Sequence, residues 1–482
     1  MAASEHEQSP AGDPATNKAS GRRQPPGKSV FGSERRLLAG LLVFTLLVRG
    51  TVLWFMRGNL EQDPDAYREI AENLIVHGEF ALGKLTPQTA DWHPRPTAYR
   101  PPLYPVVLSN LRAADRQHVS LVKVGVLHLV LGVATVWLTW LTARRVGCAH
   151  RFGNMVGAAH PTNATWPPVI ASLIVACDPI LLNQQALVMT ETLAAFLAIL
   201  SLWCLARFDA ARTPFNAAMA GGAIGLAVLC RPTFLPWLGL IAVTMLFLHG
   251  GPAFKSQIPN LKFGNLPWRV ANVAGLTIIA AAVMSPWAIR NYRVFGKPMV
   301  TTTHGGYTLL LGNNEFFYKW LRDREQDSPW DSALLDEDLY FQWALWWMVQ
   351  PRDQETTYDA FCYRLARTAI RKEPSQFALA CAYRINQLWS PLPHKLTADE
   401  SIGRRWLRYA TCMWYCGVYL LAAIGVWRLR WKLFASPWIW GVLLCIAFTA
   451  VHTFYWTNLR MRAPLIPLIA LVAAAAIDKR KI

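Results

Sequence analysis

The chain has 482 residues, of which 53% are hydrophobic, and several apolar runs approach the roughly 20 residues that cross a bilayer. This composition is too apolar and too segmented for an ordinary soluble enzyme. A formal net charge of +18 would indicate a nucleic-acid partner in a soluble protein, but in a membrane protein the placement of the charges carries the information. The sequence therefore predicts an all-α polytopic membrane protein with no nucleic-acid partner.

Apolar runs follow one another along almost the whole chain and predict about ten transmembrane helices. The runs cover residues 37–56, 120–143, 168–183, 187–206, 216–230, 233–249, 271–288, 407–427, 436–453 and 463–477. Two of the helix boundaries carry a proline, in the pairs Asp178-Pro179 and Arg231-Pro232. Because proline disrupts a helix interior, we expect breaks at both pairs.

Arginine and lysine cluster before the first apolar run and after the second, fourth, sixth and eighth runs. By the positive-inside rule, this alternation places both termini in the cytoplasm and identifies a multi-pass protein of the cytoplasmic membrane. The remaining connections, among them residues 57–119 and 291–409, then face the extracytoplasmic side.

The chain divides into four predicted parts. Residues 1–36 form a disordered cytoplasmic tail, 37–290 an N-terminal transmembrane module with a first outer, catalytic loop at 57–119, 291–406 an extracytoplasmic loop region, and 407–482 the C-terminal transmembrane helices. Cys362 and Cys381 both lie in the long outer region, so a disulfide between them is an open interpretation.

The first outer loop contains two acids just before an amphipathic segment. Asp63 and Asp65 precede apolar residues whose spacing predicts one stripe along a helix, namely Tyr67, Ile70, Ala71, Leu74 and Ile75. Such a helix can lie flat on a membrane, with its acidic start toward the polar side. Asp63 followed by Pro64 also fits a helix N-cap, with proline at the first helical position.

Arginines on the predicted outer side stand at separate helix ends and in the first loop. The candidates for binding an anion are Arg100, Arg231, Arg290, Arg293, Arg460 and Arg462. Each could instead direct its charge to lipid phosphates, but arginines at several helix ends on the side opposite the positive-inside bias indicate a phosphate site. Glu191, at the outer start of the fourth run, is a carboxylate at membrane depth and therefore a further candidate.

Several segments taken together resemble a known family. They are DPDAYREIAENL, RPPLYP, ACDPILLNQQALVMTETL, LCRPTFLPW, PWAIRNYRVFGKP with the GNN that follows, and LRMRAP. In order and placement they resemble the bacterial membrane glycosyltransferases of the GT-C fold, relatives of the protein O-mannosyltransferases and of the aminoarabinose transferase that modifies lipid A. The similarity runs through residues 37–477.

This resemblance implies a polyprenyl-phosphate sugar as donor, a reaction on the extracytoplasmic face, and inversion at the anomeric carbon. It also implies a catalytic acid in the first outer loop, four residues before an aromatic, which Asp63 and Tyr67 match. The family often has a second acid directly after the first, whereas this chain has Pro64 and then Asp65, so the base is either Asp63 or Asp65. No cofactor is obligatory, although some relatives bind a divalent metal.

The acceptor stays open between protein hydroxyls and a lipid or glycan of the cell envelope. A transporter or lipid flippase is the alternative from another class. Transporters usually place charge near the bilayer midplane and contain internal repeats, whereas here the acids and arginines cluster at one interface.

Overall fold

The computed structural model describes residues 28–83, 94–149, 166–247, 266–323, 330–347, 354–395 and 399–477. The helices of the first half are α1 Lys28–Phe55, α2 Tyr67–Val76, α3 Leu103–Ser109, α4 Leu121–Ala149, α5 Trp166–Cys177, α6 Pro179–Gln184, α7 Glu191–Ala210, α8 Pro214–Cys230 and α9 Leu235–Phe247. Those of the second half are α10 Leu266–Phe295, α11 Gly305–Leu311, α12 Glu315–Arg322, α13 Ala333–Trp347, α14 Gln354–Lys372, α15 Pro374–Trp389, α16 Ile402–Leu429, α17 Trp438–Phe454 and α18 Ile466–Ala475. Two short strands, β1 Ala81–Leu82 and β2 Arg95–Pro96, pair antiparallel in the first loop.

Five described helices are long and apolar enough to cross a membrane, and they lie within α1, α4, α7, α10 and α16. Shorter apolar helices include α5, α8, α9 and α17. Each of the ten predicted apolar runs overlaps one of these helices or α18. The prediction of an all-α polytopic membrane protein is confirmed.

Both predicted helix breaks are present. The carboxylate of Asp178 accepts a hydrogen bond from the Leu181 N–H at 3.0 Å, so it caps α6, and Pro179 occupies the start of that helix. Arg231 ends α8, and Pro232 begins a short 3-10 turn that leads into α9. Each break satisfies backbone groups that would otherwise be buried without partners.

The helices α8 and α10 approach closely because α8 has glycine at the contact. A Cβ on Gly221 would collide with the carbonyl oxygen of Leu276, and one on Gly225 would lie 3.1 Å from that of Ala280. These two positions therefore need glycine for close packing of the two backbones.

The first loop departs from the prediction at its acidic end. Ala66 has a left-handed backbone with φ of 57°, so α2 begins at Tyr67, and Pro64 and Asp65 lie in the preceding turn. The stripe of α2 is also turned inward: Ile70 and Ala71 are fully buried, and the Tyr67 ring packs edge-on against Tyr104 of α3 at 5.4 Å. The stripe therefore packs against the protein, and how α2 lies relative to a membrane stays a prediction.

The helix α14 and the segment before α11 contact the first loop. Glu355 of α14 accepts hydrogen bonds from the Ala98 N–H at 2.7 Å and from the Thr303 hydroxyl. The disulfide that the sequence left open is not formed, since Cys362 and Cys381 are both free. Cohesion in this part comes from such polar contacts and from small apolar clusters.

Candidate active site at the first-loop end of the bundle

Three arginines and two acids lie close together beside the first loop. We call this end of the helix bundle the first-loop end. We call this group the arginine-acid cluster, and its members are Asp65, Arg100, Glu191, Arg231 and Arg460. Arg460 links the two acids, because its Nη2 lies 3.8 Å from Asp65 Oδ2 and its Nε lies 3.7 Å from Glu191 Oε1. Arg231 approaches Glu191 Oε1 to 3.5 Å, and Arg100 approaches Asp65 Oδ1 to 2.7 Å.

Four different parts of the fold supply these side chains. Glu191 is the first residue of α7 and is 1% exposed, and Arg231 ends α8. Arg460 lies in a 3-10 helix, Leu459–Leu465, whose first turn is capped by the Asn458 side chain. Arg100 and Asp65 both lie in the first loop, before α3 and before α2, so the cluster joins segments that are far apart in the sequence.

The arginines of the cluster have donors directed at poor acceptors. Arg460 Nη1 contacts the sulfur of Met189 at 2.8 Å, and Arg231 Nη2 contacts that of Met461 at 3.0 Å. A thioether is a weak acceptor, and guanidinium groups prefer carboxylate or phosphate oxygens. Within the described part of the chain, Arg231 Nη1 and Glu191 Oε2 are buried and make no hydrogen bond. With three guanidinium groups against two carboxylates, the cluster is positive and has unused donors, as an anion-binding site requires.

Asp63 is close in sequence but differs in environment. Its Oδ2 accepts hydrogen bonds from the N–H groups of Arg68 at 2.9 Å and Glu69 at 3.0 Å, so it caps α2 from a distance. Its Oδ1 is buried and makes no hydrogen bond within the described residues. Burial raises the pKa of the Asp63 carboxyl above 3.8, although the helix N–H groups and Arg68 act in the opposite direction. One oxygen is thus fixed while the other has free lone pairs.

Tyr67, which the sequence also singled out, forms one side of this region. Its ring lies 5.7 Å from the Arg100 guanidinium, and Tyr99 stacks on the same guanidinium at 4.4 Å. Burial raises the pKa of the Tyr67 hydroxyl, so this side chain is neutral and acts as a wall of the site.

Arg290 and Arg293 are not brought into the cluster. Arg290 donates to the carbonyl oxygens of Thr97 and Phe80, both at 2.7 Å, and to the Asn291 side chain at 3.0 Å. These bonds attach α10 to the first loop near the β1–β2 pair. Arg293 is exposed near the end of α10. A phosphate-binding role for either residue stays a prediction.

Arg462 lies only two residues from Arg460 but has different neighbours. It is fully buried, donates to the carbonyl oxygens of Ser390 at 2.6 Å and Leu388 at 3.2 Å, and stacks 4.0 Å from the Tyr415 ring. The Tyr415 hydroxyl in turn donates to Asp178 at 2.8 Å. These contacts connect the end of α15 with α16, which indicates a structural role in the present geometry.

Sequence reasoning missed several buried polar residues of the bundle. Arg49, His128 and His452 each lie within an apolar run and are at most 4% exposed. Their signal was available, since an ionisable side chain within an apolar run is a functional candidate by default. No group of three or more His, Cys, Asp or Glu side chains among the described residues could hold a metal ion.

The crystal structures that are similar to this chain include two of ArnT from Cupriavidus metallidurans. The one bound to undecaprenyl phosphate is 13% identical and the apo one 14% identical, and each match has a TM-score of 0.35 and covers 91% of this chain and 78% of the other. ArnT is a lipid A aminoarabinose transferase with a GT-C fold, one of the relatives that the sequence resembles. A TM-score of 0.35 is too low to carry an argument about activity. No family model and no curated protein matches the chain.

Proposed function

We propose that the chain is a membrane glycosyltransferase, which moves a sugar from a polyprenyl-phosphate donor to an acceptor hydroxyl on the extracytoplasmic face, with inversion. The observation that carries this proposal is the arginine-acid cluster. Three guanidinium groups converge there, and two of them direct donors at methionine sulfur. Such a site suits a phosphate whose negative charge increases as the sugar leaves.

The chemistry needs few protein groups, because a lipid phosphate leaves without protonation. A hydrolase of ordinary glycosides needs an acid for its poor leaving group as well as a base or nucleophile. Here one carboxylate that takes the proton of the acceptor hydroxyl, together with arginines that stabilise the departing phosphate, is sufficient. Arg100, Arg231 and Arg460 take the second role in this proposal.

Asp63 is the better candidate for the base, and Asp65 for a residue that orients arginines. Asp65 Oδ1 is paired with Arg100, and its Oδ2 faces Arg460. Asp63 has one oxygen anchored by the start of α2 and one that makes no hydrogen bond among the described residues. Its raised pKa makes it the stronger proton acceptor when ionised. Glu191 remains a further candidate, since its Oε2 also makes no hydrogen bond to the residues that the structure describes.

The acceptor and the sugar are separate questions from the reaction type. Protein hydroxyls and envelope lipids or glycans are both compatible with a base at the first-loop end. A transporter or flippase is the alternative function, and it would move the lipid without breaking the sugar-phosphate bond. Detection of a new glycosidic bond therefore separates the two.

Two measurements test the proposal. Mass spectrometry of envelope lipids and glycoproteins from cells with and without the gene should show one sugar modification that depends on the gene. The purified protein in lipid nanodiscs, given synthetic undecaprenyl-phosphate hexoses and pentoses with an envelope extract, should release undecaprenyl phosphate. An unchanged envelope together with no release from any donor would overturn the assignment.

A further inference from the structure

A buried chain of hydrogen bonds runs from the transmembrane helices to the first loop. Tyr104 of α3 contacts His128 Nε2 of α4 through its hydroxyl at 2.8 Å, and His128 Nδ1 contacts the carbonyl oxygen of Gln185 at 2.7 Å. Both Tyr104 and His128 are fully buried. Neither side chain belongs to the arginine-acid cluster, so the proposed reaction does not explain these hydrogen bonds.

The partners fix the tautomer of the imidazole. A carbonyl oxygen can only accept, so His128 Nδ1 carries the hydrogen and donates it to Gln185. Nε2 is then the acceptor, and the Tyr104 hydroxyl donates to it. The ring therefore has two distinct tasks, one at each nitrogen.

At the Gln185 end, this row of hydrogen bonds is anchored in the bundle. The Gln185 side chain donates to the carbonyl oxygen of Arg49 at 3.0 Å and accepts from Arg49 Nη1 at 3.2 Å, and Arg49 Nη2 donates to the Val175 carbonyl at 2.9 Å. Gly132 of α4 leaves room for this guanidinium, since a Cβ there would lie 2.8 Å from Arg49 Nη1. The residue that accepts from His128 is thus tied through Arg49 to α1 and α5, directly after the end of α6.

At the Tyr104 end, the same row of hydrogen bonds reaches the candidate site. The Tyr104 ring packs against Tyr67 at 5.4 Å, and Tyr67 is the first residue of the helix that Asp63 caps. The Tyr67 ring also lies 5.7 Å from the guanidinium of Arg100. A shift of Tyr104 would therefore move both the proposed base and one proposed phosphate ligand.

We propose that His128 and Tyr104 are positioning residues. The hydrogen bond from the Tyr104 hydroxyl to His128 Nε2 holds the first loop in the position that the reaction requires. This inference rests on the proposed function for its effect on turnover. A misplacement of reacting groups by about 1 Å can cost on the order of 100-fold in rate. The loss of one hydrogen bond at the edge of the site should cost about tenfold or more in kcat.

The two tasks of His128 can be separated by substitution. The amide of asparagine lies near the Nδ1 position, so His128→Asn keeps a donor to Gln185 and loses the acceptor for Tyr104. The longer glutamine reaches the Nε2 position, so His128→Gln keeps the acceptor for Tyr104 and loses the donor. Tyr104→Phe removes the hydroxyl alone, and Tyr292→Phe on the exposed face of α10 is the matched control.

The experiment measures kcat, binding of undecaprenyl phosphate and thermal stability for these variants. We expect Tyr104→Phe and His128→Asn each to lose about tenfold or more in kcat, with the double variant no worse than either. His128→Gln should lose clearly less than His128→Asn, and Tyr292→Phe should stay near wild type. Binding of undecaprenyl phosphate should change less than kcat. Equal losses in His128→Asn and His128→Gln, or additive losses in the double variant, would overturn the inference.

A second measurement does not depend on activity. Hydrogen exchange of the α3 backbone should be faster in Tyr104→Phe and His128→Asn, and close to wild type in His128→Gln. If exchange follows this order but the protein transfers no sugar, the proposed function is rejected. The Tyr104–His128 contact between the first loop and the bundle then still stands. Unchanged exchange in all the variants would reject the tie itself.

Discussion

Arg100 holds Asp65 at two points: its Nη2 lies 2.7 Å from the carboxylate Oδ1, and its Nε donates to the Asp65 carbonyl oxygen at 2.8 Å. The backbone and the side chain of Asp65 are thus both fixed by one guanidinium. Asp63, two residues earlier, is fixed instead by N–H groups of α2. Two acids that the sequence could not distinguish therefore have separate environments and should respond differently to substitution.

Asp63→Asn is expected to lower transfer by at least about 100-fold, because the amide cannot take the proton of the acceptor. Its oxygen can still accept from the helix N–H groups, so stability should fall by less than about 1 kcal/mol. Turnover and thermal unfolding of the purified protein measure the two effects. Asp115→Asn, at an exposed position of the same loop, is the control and should keep full turnover. Full activity in Asp63→Asn with loss in Asp65→Asn would transfer the role to Asp65.

The rate should depend on pH through Asp63. A base must be ionised, and burial raises the pKa of this carboxyl above 3.8, so kcat/KM should fall as the pH falls through that raised value. The acid limb of the pH-rate profile should therefore have its midpoint above 3.8 and be absent from the residual activity of Asp63→Asn. An acid limb that persists unchanged in this variant would assign it to another group.

Arg460→Gln and Arg290→Gln should have different consequences. Arg460 faces two carboxylates and a sulfur, so its loss should weaken the binding of undecaprenyl phosphate by about tenfold or more, since charge-assisted bonds are worth roughly 1.5–3 kcal/mol. Arg290 donates to two backbone carbonyls, so its loss should mainly lower the unfolding temperature. Binding of undecaprenyl phosphate and thermal unfolding are measured on both. Weak binding in a stable Arg290→Gln protein would support the sequence prediction for Arg290.

Glu355→Ala should destabilise the contact between α14 and the first loop. It leaves the Ala98 N–H and the Thr303 hydroxyl without their acceptor, which costs about 1–3 kcal/mol for a buried donor. Denaturant unfolding measures this cost. Glu337→Ala, at an exposed position of α13, should have little effect. Equal stability of the two variants would show that the contact contributes nothing to the fold.

The predicted topology can be tested with single cysteines in a cysteine-free background. Sites at Glu79 and Asp323, both exposed, should react with a membrane-impermeant maleimide applied to intact cells. Sites at Ala211 and Ala435, in connections rich in arginine and lysine, should react only after permeabilisation. Labelling of Ala211 in intact cells would reverse the assignment of the faces.

The sequence predicted the helices well because hydrophobic length and proline act locally. The breaks at Asp178 and Arg231 follow from the residues beside each proline. The start of α2 was placed too early, since Pro64 favours a helical turn and nothing local indicates the left-handed backbone of Ala66.

The partners of the site residues could not be predicted in the same way. Whether an arginine at a helix end faces an acid, as Arg460 does, or a backbone carbonyl, as Arg290 does, depends on packing between distant segments. Composition and spacing describe one segment at a time. Composition and spacing therefore identify a set of arginines but not which of them lie close together in the fold.

The cap that Asp63 provides for α2 joins a structural task and a chemical one in a single carboxylate. If the first turn of this helix frays, Oδ2 loses its two anchors and the free oxygen loses its orientation, although the acid itself is unchanged. A substitution at Arg68 or Glu69 that weakens this turn would then resemble the loss of the base in a rate assay. Helical order at residues 67–69 should accordingly be measured before any inactive variant of this loop is interpreted as lacking a proton acceptor.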